Sequence, residues 1–122
     1  MKILFVEDDV DVGTMYATQL ILEENDVQHV RTAQEALDAL DEDEYDLIIL
    51  DMLLPGSNGI AVLQELRSYR DWRSIPVVVL SNVTPDDLEV TDRHLKELGV
   101  SDYLVKMDTT PQDLAVAVNS YA

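Results

Sequence analysis

Short, nearly continuous apolar runs alternate along this chain with longer stretches in which apolar residues recur every three or four positions. The runs Ile3–Val6, Val27–Val30, Asp46–Leu50, Pro76–Leu80 and Tyr103–Val105 are rich in β-branched residues, with Val27–Val30 the weakest. Runs of this kind predict strands buried on both faces of a parallel sheet. Between them, Val12, Met15, Tyr16, Gln19 and Leu22 fall on one face of a helix, as do Ala36, Leu37 and Leu40. Ile60, Leu63 and Leu66 predict a third helix. Leu88, Thr91, Leu95 and Leu98 predict a fourth, and Leu114, Ala117, Val118 and Tyr121 a fifth.

Local signals place the helix starts. Thr32-Ala-Gln-Glu35 has the form of a capping box, and Thr84-Pro85 and Thr110-Pro111 set a cap residue before a proline at the first helical position. Gly99 suits the position just past the fourth helix. Strict alternation of strand and helix predicts an α/β fold, a single (βα)5 domain over residues 1–122. Its five-stranded parallel sheet is doubly wound, with right-handed crossovers. No linker, repeat or low-complexity segment interrupts the pattern, and it leaves no stretch for an output domain.

Composition narrows the classes. The 122 residues and 47% hydrophobic content suit one domain with a proper core. With no cysteine there is neither a disulfide framework nor a thiolate metal site. No apolar run reaches the ~20 residues needed to span a bilayer, and MKILFVEDD turns acidic too early for a signal peptide. The expectation is a cytoplasmic protein without a membrane segment. Eight basic against 25 acidic side chains give a net charge of -17, with fifteen acids and two bases in residues 1–58 alone. Such a surface repels phosphate backbones and argues against direct nucleic-acid binding. Most of these charges read as a solvated surface.

A minority sit where chemistry is expected. In an open parallel sheet the functional crevice lies beyond the carboxyl ends of the strands. The first strand runs into Glu7-Asp8-Asp9, the third into Asp51, the fourth into Ser81-Asn82 and the fifth into Lys106. Clustered carboxylates repel unless a cation compensates them, and oxygen ligands without thiolate favour a hard divalent ion such as Mg2+. Such an ion, with Lys106 and the Ser81 hydroxyl, would neutralise a phosphoryl group on Asp51, since a carboxylate can act as the nucleophile that forms an aspartyl-phosphate.

The segments KILFVEDD, LIILDMLLPGSNG, PVVVLSN and DYLVK together resemble the signature regions of two-component response regulator receiver domains, in the family's order and spacing. The resemblance covers essentially the whole chain and implies a flavodoxin-like, CheY-like fold. It implies that Asp51 is the phosphoacceptor, that Glu7 and Asp8 are the acidic pair, and that Asp8, Asp51 and the Leu53 backbone carbonyl hold Mg2+. Ser81 and Lys106 match the residues that bind the phosphoryl oxygens, and Tyr103 matches an aromatic switch. It also implies a sensor histidine kinase or phosphotransfer protein as donor. Downstream, it implies an output protein or domain, or a homodimer, engaging the face of the fourth helix, fifth strand and fifth helix. The protein would then catalyse only its own phosphotransfer and dephosphorylation.

Two residues depart from the family pattern. Met107 stands where a proline usually follows the lysine, leaving open whether the Lys106–Met107 bond is cis or trans; cis before a non-proline costs ~2.5–4 kcal/mol. Asn82 stands where a small residue is usual, and its amide would narrow the site or add a hydrogen bond. Leu53 and Val83, two residues beyond Asp51 and Ser81, lack side-chain polarity to orient an attacking water, which predicts a long-lived phosphorylated state. A flavin-binding flavodoxin would need a Ser/Thr/Gly-rich loop where this chain has EDDVD. An aspartate-nucleophile phosphatase would need an acid at Leu53, and a phosphorylation-independent pseudo-receiver would not need Asp8, Asp51, Ser81 and Lys106. Pro55, Gly56 and Gly59 should shape the loop after Asp51. His29 and His94 read as packing or surface residues, and Trp72 as a loop anchor.

Overall fold

The computed structural model describes all 122 residues. Five strands, β1 (Lys2–Val6), β2 (Asp26–Val30), β3 (Leu47–Leu50), β4 (Val77–Ser81) and β5 (Val100–Val105), form one parallel sheet in the order β2-β1-β3-β4-β5. The helices are α1 (Val10–Leu22), α2 (Ala33–Glu42), α3 (Gly59–Ser68), α4 (Asp92–Glu97) and α5 (Pro111–Asn119). Each strand sends alternate side chains to opposite faces. Leu4, Val6, Ile48, Leu50, Val77 and Val79 pack with α2, α3 and α4 on one face. Ile3, Phe5, Leu47, Ile49, Val78 and Leu80 pack with Tyr16, Ala17 and Leu20 of α1 and Leu114 and Val118 of α5 on the other. The expected doubly wound α/β architecture is present.

Strand burial accounts for the strength of each sequence signal. β3 and β4 are buried along their whole length and read as solid apolar runs, whereas β2 is an edge strand that alternates exposed and covered residues. At the other edge, β5 begins three residues before its predicted start. A bulge there shifts the pairing from Val77 opposite Val100 to Val78 opposite Asp102.

The fourth helix differs from expectation. It spans only Asp92–Glu97, and its cap is Thr91, whose side chain accepts from the His94 N–H. Thr84-Pro85 opens a separate turn in which Thr84 and Asp87 exchange side-chain-to-backbone hydrogen bonds. That turn is complete in itself, and Glu89, at φ 55°, takes the chain out of helical geometry behind it. Leu88 and Val90 still pack on the core, which is why the apolar spacing looked continuous. At the other helix starts the caps are present. Thr110 and Asp113 form a full capping box, and Thr32 caps α2, although Glu35 reaches back to the Arg31 N–H rather than to Thr32.

A two-residue hairpin, Leu53–Leu54 against Ser57–Asn58, also follows β3. Its turn is Pro55-Gly56 with Gly56 at φ 70°, the order a type II turn requires. Gly59 follows because a Cβ there would lie 2.7 Å from the Met52 backbone.

Arg67 of α3 fastens the opposite end of the molecule. Its guanidinium donates to the carbonyls of Leu98 (2.7 Å), Trp72 (2.9 Å) and Ile75 (2.9 Å), capping the end of α4 and pinning the segment before β4. Trp72 stacks obliquely on Tyr69 in that segment, as a loop anchor should. Arg67→Met should leave these carbonyls unpaired and cost about 2–3 kcal/mol. A lower urea midpoint with an unchanged slope would register it.

Candidate functional site

β1, β3, β4 and β5 end together at the carboxyl edge of the sheet, and pairing fixes their ends at one level. Val6 lies opposite Leu50, Leu50 opposite Val79, and Ser81 opposite Val105. The residues that follow therefore meet. The Asp51 N–H donates to the Val6 carbonyl at 3.1 Å, setting Asp51 beside Glu7. Asp51, Glu7 and Ser81 are only 4%, 1% and 0% exposed, so the polar cluster is embedded in the sheet end rather than laid on the surface.

Both Asp51 oxygens are engaged. Oδ1 accepts from the Ser81 hydroxyl at 2.7 Å and from the Leu53 N–H at 2.9 Å, while Oδ2 lies 2.7 Å from Lys106 Nζ. Lys106 Nζ is also 2.5 Å from Glu7 Oε1, and Glu7 Oε2 accepts the Asp9 N–H. Asp8 completes the acidic group. Carboxylate oxygens of Glu7, Asp8 and Asp51 lie within 4.8 Å of one another. Asp9, the third acid of the run, instead caps α1 by accepting from the Val12 N–H.

Burial raises the Glu7 carboxyl above its ordinary value, against the opposing pull of Lys106 and the Asp9 N–H. For Lys106 burial pulls downward, but its bonds to Asp51 and Glu7 prevail and hold the ammonium charged. One ammonium thus faces three carboxylates. This all-oxygen donor set, opening into a cleft bordered by Leu53, Pro55 and Asn82, fits a hard divalent cation of the Mg2+ kind.

The two departures from the family pattern meet each other here. Every peptide bond is trans, including Lys106–Met107. The Met107 N–H, which a proline would lack, donates to Asn82 Oδ1 at 2.9 Å. Asn82 therefore adds a hydrogen bond at the cleft wall. Tyr103, half-buried, donates its hydroxyl to the Val83 carbonyl, and burial pushes its pKa up to about 12, so it remains a donor at neutral pH. His29 packs on Phe5 with Nε2 2.8 Å from the Glu7 carbonyl, and it supports the β1 end without facing the carboxylates.

Tyr16 went unrecognised in the sequence as anything but a helix-face residue. Its hydroxyl lies 2.5 Å from the Thr109 carbonyl and 3.1 Å from the Lys106 carbonyl. A phenol at a core-facing position of that helix was the available signal, because a buried tyrosine needs a polar partner.

Sheet order and strand-end chemistry together define an α/β domain with an acid, hydroxyl and lysine site at its carboxyl edge. The chain belongs to the response regulator receiver domain family, whose pattern it matches over residues 3–119. It is 35% identical to the regulatory protein VanR of Enterococcus faecium over 105 residues, covering 86% of this chain and 43% of that protein. The BeF3-activated N-terminal receiver domain of RstA from Klebsiella pneumoniae is 31% identical and superposes with a TM-score of 0.79 over 99% of this chain and 97% of that one. The chemotaxis response regulator CheY4 of Vibrio cholerae shares the fold at a TM-score of 0.85 and 22% identity, over 99% and 98% of the two chains. The chain spans less than half the length of the curated regulators it matches first. No helix is long and apolar enough to cross a membrane.

The raised Glu7 carboxyl has a consequence for stability. A group whose folded pKa exceeds its unfolded value stabilises below the unfolded value, here 4.5, and loses that contribution as pH rises through the folded value. In metal-free buffer, Glu7→Gln should flatten the decline in stability with rising pH just above 4.5. Urea midpoints at a series of pH values check this; parallel slopes for both proteins would contradict it.

Proposed function

We propose that Asp51 accepts a phosphoryl group from a phosphohistidine of a sensor histidine kinase or phosphotransfer protein, and that this shifts the face of α4, β5 and α5. The observation that carries the reading is the Asp51 carboxylate itself. It is buried, oriented at Oδ1 by Ser81 and the Leu53 N–H, and paired at Oδ2 with a lysine held charged. An Asp51 oxygen attacks phosphorus, the oxygen–phosphorus bond forms as the phosphorus–nitrogen bond breaks, and the electron pair of that bond stays on the departing imidazole nitrogen, which takes a proton from solvent. The protein's part is positioning and charge compensation. Lys106 moves its attention from the carboxylate to a phosphoryl oxygen, and the Ser81 hydroxyl does likewise. Asp8, Asp51 and the Leu53 carbonyl would hold Mg2+ with Glu7 behind them, and the ion supplies neutralisation of the transferring oxygens.

A chain of contacts supports the switch. The Ser81 hydroxyl that donates to Asp51 also accepts from the Val83 N–H at 3.3 Å, and the Val83 carbonyl holds the Tyr103 hydroxyl. Drawing Ser81 toward a phosphoryl group therefore pulls on the segment that anchors Tyr103, the proposed aromatic switch, on β5. The output is a partner protein, a linked domain, or a second copy engaging the same face, in a cytoplasmic signalling setting. Receivers are regulatory domains rather than enzymes with an external substrate, and the self-directed transfer and hydrolysis proposed for Asp51 agree with that.

Acetyl phosphate with Mg2+ should add one phosphoryl mass to the wild type and none to Asp51→Asn, nor to wild type in EDTA. A phosphorylated Asp51→Asn protein would sink the assignment.

The lifetime of that state is set beside the site. Leu53 is 65% exposed at the cleft and Val83 is partly covered, and neither side chain can direct a water at phosphorus. Leu53→Asn together with Val83→Glu should accelerate decay of the phosphorylated protein by about tenfold after donor removal. Unchanged decay would mean that water positioning does not limit hydrolysis.

A further inference from the structure

The peptide unit that follows Lys106 is held from both sides. Its N–H, on Met107, donates to Asn82 Oδ1 at 2.9 Å, and its carbonyl, on Lys106, lies 3.1 Å from the Tyr16 hydroxyl. The single Tyr16 proton is shared with the closer Thr109 carbonyl at 2.5 Å, so the Asn82 bond is the undivided one.

The other backbone bonds of this segment come from Thr109, whose N–H donates to the Lys106 carbonyl at 3.2 Å and whose hydroxyl donates to the Val105 carbonyl at 2.7 Å, so none of them reaches across to β4. β5 leaves the sheet at Val105, and Lys106–Asp108 is one 3-10 turn with no buried residue. The Met107 side chain is 78% exposed and contributes little packing. A lysine reaches its target on a flexible four-carbon stem, so its ammonium is placed only as well as its backbone is. Two consecutive residues at the end of β4 then divide the work. Ser81 orients the Asp51 carboxylate, and Asn82 anchors the backbone of the lysine that faces it.

We infer that Asn82 is a positioning residue for phosphoryl transfer: through the Met107 N–H it sets Lys106 against Asp51, with Tyr16 as the second grip. This rests on the reading of Asp51 as phosphoacceptor. The alternative role of an asparagine at the cleft wall is to crowd the entering phosphoryl group, and the two roles have opposite signs. Crowding predicts faster phosphorylation when the side chain is removed, and positioning predicts slower.

The test compares wild type, Asn82→Ala, Asn82→Asp and Tyr16→Phe in acetyl phosphate and Mg2+, following phosphorylation by intact mass over a range of donor concentration. Asn82→Ala should lower the maximal rate by about tenfold, the scale of a small misplacement at a reacting centre. Asn82→Asp keeps the acceptor and should recover most of the maximal rate, its charge appearing instead as a higher half-saturating donor concentration. Tyr16→Phe should lower the maximal rate in the same direction as Asn82→Ala. In a Lys106→Ala background, Asn82→Ala should have no further effect, because a residue acting through Lys106 has nothing left to position.

Amide exchange and NMR order of the Lys106 side chain, read without any donor, form the second arm. Asn82→Ala should deprotect the Met107 amide and loosen Lys106, and Asn82→Asp should restore both. An Asn82→Ala protein that phosphorylates as fast as wild type or faster, or that loses the same factor without Lys106, overturns the inference. So does an unchanged Met107 amide. Wild type that takes up no phosphoryl group at Asp51 would strike the reading of Asp51, and the donor-free arm would still decide whether Asn82 holds Lys106.

Discussion

The Lys106 ammonium between Glu7 and Asp51 is the interaction on which the rest of the site depends. Both carboxylates are almost wholly withdrawn from water, and a buried charge without a partner is among the costliest features a fold can carry. The lysine compensates only in part. Its bonds to the two acids outweigh its own burial, yet burial still dominates at Glu7 and raises its carboxyl. The edge of the sheet is therefore left short of positive charge, which is the electrostatic condition for drawing in a divalent cation and a phosphoryl group together.

That arrangement is possible because the sheet is rigid and buried on both faces. Parallel pairing of β1 with β3, β3 with β4 and β4 with β5 brings residues 7, 51, 81 and 106 to one edge, although almost a hundred positions separate the first from the last. The apolar side chains above and below leave the strand ends no freedom to slide, since a one-residue slip would turn every side chain to the other face. Packing in the two cores thus sets the distances in the site.

This explains which parts could be read from sequence. Strands buried on both faces announce themselves as apolar runs, and the residues just after each run are then site candidates; Glu7, Asp8, Asp51, Ser81 and Lys106 all follow such runs and lie together. Segments whose structure depends on contacts between distant residues were not legible. Thr84-Pro85 carries a good helix-start signal, but the local bonds of Thr84 with Asp87 and the left-handed Glu89 close it after one turn. The pairing of Asn82 with Met107 spans the gap between two strand ends, and the Tyr16 hydroxyl reaches ninety residues along the chain to Lys106. Neither has a periodicity. Each showed in the sequence only as a residue type: an asparagine where a small side chain is usual, a phenol at a core-facing helix position.

The acids of the site also bear on why the rest of the fold is so well packed. Three carboxylates with oxygens within 4.8 Å of one another repel in the absence of a cation, and Lys106 is the ammonium that offsets them. Replacing one by a neutral isostere would relieve that repulsion, yet Asp8 holds no side-chain hydrogen bond that would account for it structurally, in contrast to Asp9, which caps α1. Asp8 therefore has no side-chain hydrogen-bonding role at this end of the sheet, and it is one of the residues proposed above to hold the cation. The cost falls on β1 and β3, the two strands whose ends carry the acids. There Ile3, Leu4, Phe5 and Val6 are buried in one run, as are Leu47, Ile48, Ile49 and Leu50. With β4, which is buried throughout as well, β1 and β3 form the centre of the sheet, so the charged end rests on its most deeply buried strands.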